Sequence, residues 1–185
     1  VIKDVIKDAE TRMQGAVQAL DEDLGGIRTG RATPALVEKL QVEYYGTSTP
    51  LVQLASISVP EPRSLLIKPF DPSSLKGIEK AILVSELGLN PNNDGKSIRL
   101  NLPPLNEERR RELVKVVNNR LEEARIAVRN IRRDLMKDLQ DFEKEKLISE
   151  DDQKRGEDEL QKTTDHFIDE IEEHGKRKEQ EILEV

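Results

Sequence analysis

Apolar side chains recur in steps of three and four at the start of this chain: Ile2, Val5, Ile6, Ala9, Met13, Ala16, Val17, Leu20, Leu24 and Ile27. That spacing puts all ten on one face and predicts an amphipathic helix over residues 2–27. Gly25 and Gly26 weaken its last turn by about 1 kcal/mol each relative to alanine. The pattern stops at Gly30, and Pro34 blocks its continuation. The helical period returns at Leu105 and holds to the end of the chain. Leu113, Val117, Leu121, Ala124, Val128, Ile131, Leu135, Leu139 and Phe142 make one seam. A break at residues 147–152 follows, with Ser149 as the N-cap of the next helix and acids in its first turn. Leu160, Thr164, Phe167, Ile171, His174, Lys178 and Ile182 then form a weaker third seam. Three helices with one apolar stripe each cannot stand alone in water, whereas a three-helix bundle buries all three stripes.

Between Arg31 and Pro104 the character changes. "VEKLQVEYYG" alternates as a half-buried strand, "TSTP" reads as a turn, and "LVQLASISV" and "SLLIKPF" read as two further strands separated by "PEPR". "SSLKGIEKAILVSELGL" predicts a helix with Leu75, Ile78, Ile82 and Leu83 inward and Gly88 at its end; "NPNNDG" reads as a loop and "KSIRLNL" as a last strand. The expected fold class is α+β: an elongated antiparallel three-helix bundle (1–29 and 105–185) with a small α/β domain (30–104) inserted between its first two helices. Thr29, Gly30 and Arg31 on the way out, and Pro103 and Pro104 on the way back, are the candidate hinge. Ordinary linkers without functional motion are the plainer alternative. At 1.5 Å per residue, helices over residues 106–146 and 2–27 would be about 60 Å and 40 Å long, so the bundle is expected to be a rod with the small domain at one end.

Composition sharpens this picture. Only 3% of residues are aromatic and none is tryptophan, which favours narrow helical seams over one thick core. There is no cysteine, hence no thiolate chemistry, and this suits a reducing, cytoplasmic setting. No apolar run approaches the roughly 20 residues of a membrane span, so no membrane partner is expected. The sequence opens at Val1 without a signal-peptide pattern. The net charge of −7 argues against a polyanionic partner until its distribution is considered: residues 105–133 carry +4 and residues 149–185 carry −8. With a Debye length of about 8 Å at physiological salt, a partner on the first segment feels mainly that segment.

The basic residues fall into two groups. Arg125, Arg129 and Arg132, spaced by four and three, form a column beside the Ala124–Val128–Ile131 seam, with Arg133 one step around. No acid lies between Glu123 and Asp134, so the column is expected to be largely unpaired within its helix. Arg28 and Arg31 follow the first helix and are expected near the start of the second, around Arg109, Arg110 and Arg111; for that triplet, pairing with neighbouring glutamates is an equally good reading. The two zones would lie roughly 30 Å apart along the rod. Guanidinium groups pair with phosphate oxygens two at a time, and structured RNA is recognised through backbone and shape without aromatic stacking. Tyr44 and Tyr45 alternate in a strand, so at most one could face RNA.

Other signals carry less. "DGKS" at 94–97 resembles the end of a phosphate-binding loop, but Asn90 stands where the pattern needs glycine, so a turn is the better reading. His166 and His174 lack metal-ligand spacing. No carboxylate pair sits in a recognisable apolar pocket, and no nucleophile has a base, so neither an enzyme, a cofactor nor a metal is expected. A coiled-coil adaptor recruiting another protein, and less strongly a nucleic-acid chaperone, are the rival classes.

At "IRTGRATPAL", "VEYYGTSTPLVQLASI", "LGLNPNNDGKSIRLNLPPLNEERRREL" and "ARIAVRNIRRD" the chain resembles the bacterial ribosome recycling factors, end to end. The resemblance implies an L-shaped molecule whose smaller domain swings about a two-strand hinge. It implies binding at the ribosomal subunit interface after termination and, with elongation factor G and the GTP that factor hydrolyses, splitting of the subunits with release of messenger and deacylated transfer RNA. It places Arg129 and Arg132 on large-subunit ribosomal RNA. Arg28 and Arg31 fall in the "IRTGRA" signature, and Arg110 in the "EERR" start of the second helix. A monomer is expected. The pair Gly25–Gly26 departs from the family pattern, which would have better helix formers there.

Overall fold

The computed structural model describes residues 1–184. In chain order the elements are α1 (Ile2–Gly25), β1 (Gln41–Tyr44), β2 (Thr47–Pro50), the single turn α2 (Leu51–Leu54), β3 (Ala55–Glu61), β4 (Ser64–Pro69), α3 (Leu75–Val84), β5 (Pro91–Asn93), β6 (Ile98–Asn101), α4 (Glu107–Lys144) and α5 (Glu150–Leu183). The chain divides into two compact units. One comprises residues 1–24 and 114–180, the other residues 25–113 with the chain from Glu181.

The first unit is a bundle of three helices whose seams are those of the sequence pattern. Val5, Ala9, Met13, Val17, Leu20 and Leu24 of α1 are buried, as are Val117, Leu121, Ala124, Val128, Leu135 and Leu139 of α4. From α5 come Leu160, Thr164, Phe167, Ile171 and Lys178. The Thr164 hydroxyl donates to the Leu160 carbonyl at 2.8 Å, so its burial leaves no orphaned polar group. Contacts fix the directions. Asp21 meets His174 and the segment around Glu10 meets the segment around Lys162, so α1 and α5 run parallel. Arg12 meets Asp134, and Leu121 and Leu139 lie against Gly175 and Gly156, so α4 is antiparallel to both.

The turn between α4 and α5 is capped at both ends. Leu147 N–H bonds the Phe142 carbonyl and Lys146 N–H the Glu143 carbonyl, while Lys146 takes φ 61°, a Schellman closure with lysine in the glycine position. Ser149 Oγ then accepts the Asp152 N–H at 3.0 Å and opens α5 above three acids, Glu150, Asp151 and Asp152.

Two helical glycines separate packing from propensity. Gly15 faces open space, so Gly15→Ala should raise stability by about 0.5–1 kcal/mol, the ordinary helix-propensity gain. At Gly175 a β-carbon would overlap Leu121 Cδ1, with Cδ2 at 3.1 Å and Cγ at 3.3 Å, so that buried leucine would have to leave its place in the core. Gly175→Ala should therefore cost about 1–3 kcal/mol despite alanine's better propensity. Urea unfolding of both variants checks the opposed signs.

The second unit holds a four-stranded antiparallel sheet, order β3-β4-β6-β5, and a separate β1–β2 hairpin. Leu65, Ile67, Ile98 and Leu100 fill its core with Leu75, Ile78, Ala81 and Ile82 of α3, Val42, Leu51 and Leu54. Several local expectations shift. "TSTP" is strand β2 rather than a turn; the reversal is Tyr45–Gly46, both at positive φ (49° and 78°), as a two-residue hairpin loop requires. "LVQL" folds as one helical turn that buries Leu51 and Leu54 three residues apart, and the strand starts only at Ala55. α3 stops at Val84, where Ser85 turns back to the Ile82 carbonyl through its N–H and its hydroxyl, four residues short of Gly88. Leu83 is consequently exposed, and Ala81 takes the inward place. Part of "NPNNDG" is edge strand β5, paired with β6.

Asp71 ties this unit together. One of its carboxylate oxygens accepts the Ser73 N–H at 2.9 Å and the other the Tyr44 hydroxyl at 2.6 Å, which pushes the Tyr44 phenol up to about 12. Tyr44 is therefore a structural tether, and Tyr45 lies in the turn, not in the strand. Gly25 also finds a reason: a β-carbon there would lie 3.3 Å from Ala35 Cβ, tighter than most side chains tolerate.

Candidate nucleic-acid interface

The four arginines of the α4 column lie in the bundle unit, but their surroundings differ. Arg125 contradicts the expectation of an unpaired column. Its Nε donates to Glu172 of α5 at 2.7 Å and a terminal nitrogen donates to Glu122 at 3.0 Å. The hydrogen bond from Arg125 holds the Glu172 carboxyl below its usual range, against the opposing effect of partial burial. Glu122 stands three residues before Arg125, and Glu172 comes from another helix, so neither lies in the acid-free interval read from the sequence. Arg125 is a bolt between α4 and α5.

Arg129 is exposed and reaches Glu122 only at 3.9 Å, an ion pair worth little in water. Arg133 is exposed and has no side-chain partner among the described residues. Arg132 is half-buried, and one terminal nitrogen donates to the Gln161 side-chain oxygen at 2.8 Å. The Gln161 amide in turn donates to Asp165 at 2.9 Å, which fixes which way the amide points. A neutral acceptor thus orients this guanidinium without cancelling its charge. A cation held in place yet uncompensated is what a bidentate phosphate contact requires.

The second group lies in the other unit. Arg28 is half-buried, and Arg31 is exposed with Glu184 at 3.8 Å, both side chains largely in solvent. Arg110 is half-buried and engaged with neighbouring groups. Its flanking residues follow the plainer reading: Arg109 pairs with Glu112 at 3.0 Å and Arg111 with Glu107 at 2.7 Å. The helix start beneath them is capped by Asn106, whose side-chain oxygen accepts the Arg109 N–H at 2.7 Å.

The candidate hinge segments carry a device that the sequence does not announce. Thr29 is buried; its hydroxyl oxygen accepts the Arg31 N–H at 3.2 Å and donates to the Arg31 carbonyl at 3.4 Å. Immediately beyond, the Ala32 N–H donates to the Pro62 carbonyl and the Leu102 N–H to the Arg63 carbonyl, each at 2.8 Å. Both crossings are therefore anchored on adjacent carbonyls of the β3–β4 turn. Pro103 and Pro104, which follow Leu102, are exposed. Residues far apart in sequence meet here through backbone groups, which no side-chain pattern reveals.

His166 approaches Glu170 and His174 approaches Asp21, each at 3.2 Å. Among the described residues no group of three His, Cys, Asp or Glu side chains could hold a metal ion, and no helix is long and apolar enough to cross a membrane.

Comparison with known proteins bears on the whole chain. A family model described as "Ribosome recycling factor" matches residues 20–183. The chain is 56% identical over 185 residues to the ribosome-recycling factor of Carboxydothermus hydrogenoformans, covering all of both sequences. It is 55% identical to that of Symbiobacterium thermophilum, with 99% of each covered. A solution structure of a ribosome recycling factor superposes with a TM-score of 0.82 at 47% identity, covering 100% of this chain and 98% of that one. A second similar structure (TM-score 0.72, 47% identity, 99% of each chain) belongs to models of the T. thermophilus ribosome recycling factor and E. coli elongation factor G bound to the E. coli post-termination complex.

Proposed function

The chain belongs to the ribosome recycling factor family, and from that membership we propose that it binds the post-termination ribosome at the subunit interface and splits it together with elongation factor G and GTP, releasing messenger and deacylated transfer RNA. End-to-end similarity to named recycling factors carries this reading. The protein contributes no bond-making group of its own; GTP is hydrolysed by elongation factor G. It works as a monomer in the cytoplasm.

Docking is assigned to large-subunit ribosomal RNA, led by Arg132, with Arg129 and Arg133 beside it and Arg28, Arg31 and Arg110 as a second group. Arg125 supports the surface by joining α4 to α5. The domain of residues 30–104 turns about Thr29–Arg31 and Pro103–Pro104, and elongation factor G drives that motion against a bundle held on RNA. The anchoring of Ala32 and Leu102 on the β3–β4 turn supports pivots just outside those two residues.

Sucrose-gradient sedimentation of post-termination ribosomes with elongation factor G and GTP tests the reading. Adding this protein should convert the 70S peak into subunits, and an unchanged 70S peak would overturn it. An adaptor rod, by contrast, would ignore purified ribosomes and self-associate. The fixed, uncompensated charge of Arg132 favours the ribosome.

A further inference from the structure

The four-stranded sheet buries one face and leaves the other open. Leu65, Ile67, Ile98 and Leu100 point into the core. The opposite positions are Ser56, Ser58 and Glu61 on β3, the buried Ser64 with Leu66 and Lys68 on β4, Arg99 and Asn101 on β6, and Asn92 on β5; Glu61 stands in the Ser64–Asn101 row, one row beyond Arg99 and two beyond Lys68. The register sets Ser58, Leu66, Arg99 and Asn92 in one row across all four strands, with Ser56 opposite Lys68 in the next. Lys68 and Arg99 are thus diagonal neighbours, about 7–8 Å apart at their backbones, close to the separation of successive phosphates on one strand.

Among the described residues no carboxylate forms an ion pair with either cation. Arg99 donates to the Ser64 hydroxyl at 3.2 Å, and Ser64 donates to the Asn101 side-chain oxygen at 3.2 Å, so neutral groups orient the guanidinium. Lys68 is exposed and without a partner among the described residues. A depression of about 340 Å³ opens beside Arg99, between Leu66, Asn92, Asn93, Asp94 and Ser97. Asp94, the acid at its rim, is already taken up by the Lys96 and Ser97 N–H groups and the Ser97 hydroxyl.

We propose that this open sheet face is a second RNA-binding surface, taking the phosphodiester backbone of ribosomal RNA through Lys68 and Arg99, with Ser56, Ser58, Asn92 and Asn101 on phosphate oxygens and 2′-hydroxyls. A protein partner would need a cluster of apolar or aromatic anchors, and the central row of this face offers the half-buried Leu66 alone, with Val59 and Phe70 exposed toward the ends of β3 and β4. Bases would need aromatic platforms, and the four strands carry none, the exposed Phe70 standing just beyond the end of β4. Hydroxyls, amides and unanswered cations suit a sugar-phosphate backbone. The proposal rests on the ribosomal reading and extends it from the bundle to the small sheet.

Two experiments on the full chain decide it. Lys68→Gln combined with Arg99→Gln should lower the slope of log affinity for 70S ribosomes against log salt by about 1.4–1.8, two contacts at 0.7–0.9 each. An unchanged slope overturns the proposal. The chain has no cysteine, so Ser58→Cys carries one benzophenone label at the centre of the face while both cations stay in place. Irradiation on ribosomes should give adducts on ribosomal RNA; adducts confined to ribosomal protein, or none, overturn the proposal even if the double variant folds poorly. Arg132→Ala is run in parallel. If it alone leaves affinity unchanged while the double variant lowers the slope, the bundle docking assignment fails and the sheet assignment stands.

Discussion

Replacing Arg132 by alanine should weaken binding to the large ribosomal subunit by about ten- to a hundredfold while leaving the bundle folded. The size follows from losing a charge-assisted hydrogen bond to phosphate, about 1.5–3 kcal/mol, where each 1.4 kcal/mol is tenfold in affinity. The fold should be spared because Arg132 gives the bundle one hydrogen bond, to a half-buried glutamine that can turn to water. Arg132→Lys separates charge from geometry: it keeps the cation, loses the fork, and should fall between wild type and alanine. Arg125→Ala should behave in the opposite way, costing about 1 kcal/mol of stability, the upper end for a partly exposed pair, because it frees Glu172 and unlinks α4 from α5. Pelleting at several salt concentrations beside thermal melts checks both halves. Unchanged affinity for Arg132→Ala would remove this residue from the interface.

That contrast between two arginines seven residues apart marks how far the sequence could be read. Helical periodicity is a one-dimensional property, so the three seams were legible in outline: Val117, Leu121 and Val128, or Leu160, Phe167 and Ile171, are buried where the spacing places them, while Ile6, Ile131, Phe142 and His174 at the seam margins are only half-buried. What a side chain meets across a helix interface is not one-dimensional. Glu172 and Gln161 decide which arginine is a bolt and which a hook, yet they stand 47 and 29 residues downstream of their partners. The sheet was less legible for another reason. Short strands such as Thr47–Pro50 and Pro91–Asn93 lie at or near edges, carry polar residues, and owe their conformation to a partner strand. Tyr45 at positive φ lacks the usual asparagine or aspartate signal of a two-residue turn.

The second large effect is expected at Gly30. Ala32 and Leu102 each donate a backbone hydrogen bond to the β3–β4 turn, so the chain at those two points moves with the sheet. On the proposed motion of residues 30–104, rotation is taken up in Thr29–Arg31 and Pro103–Pro104, segments that flank these two anchor points inside the compact unit of residues 25–113. Two of these positions are prolines whose φ is already fixed, which leaves Gly30 with the widest range of backbone angles. Gly30→Pro removes that range and should slow splitting by about tenfold or more, a barrier increase of at least roughly 1.4 kcal/mol. Ribosome affinity should stay close to wild type, because no docking arginine is changed. Thr29 is best left intact, since its hydroxyl holds Arg31 through two bonds and its loss would mix local unfolding with stiffening. Gly30 is itself buried, so Gly30→Ala is the control for an added β-carbon at this site: it leaves φ unlocked and should split faster than the proline variant. Light scattering on mixing with elongation factor G and GTP reads the rate. Full-speed splitting by a folded, ribosome-bound Gly30→Pro protein would mean that the motion is taken up elsewhere and that the two crossings are only linkers.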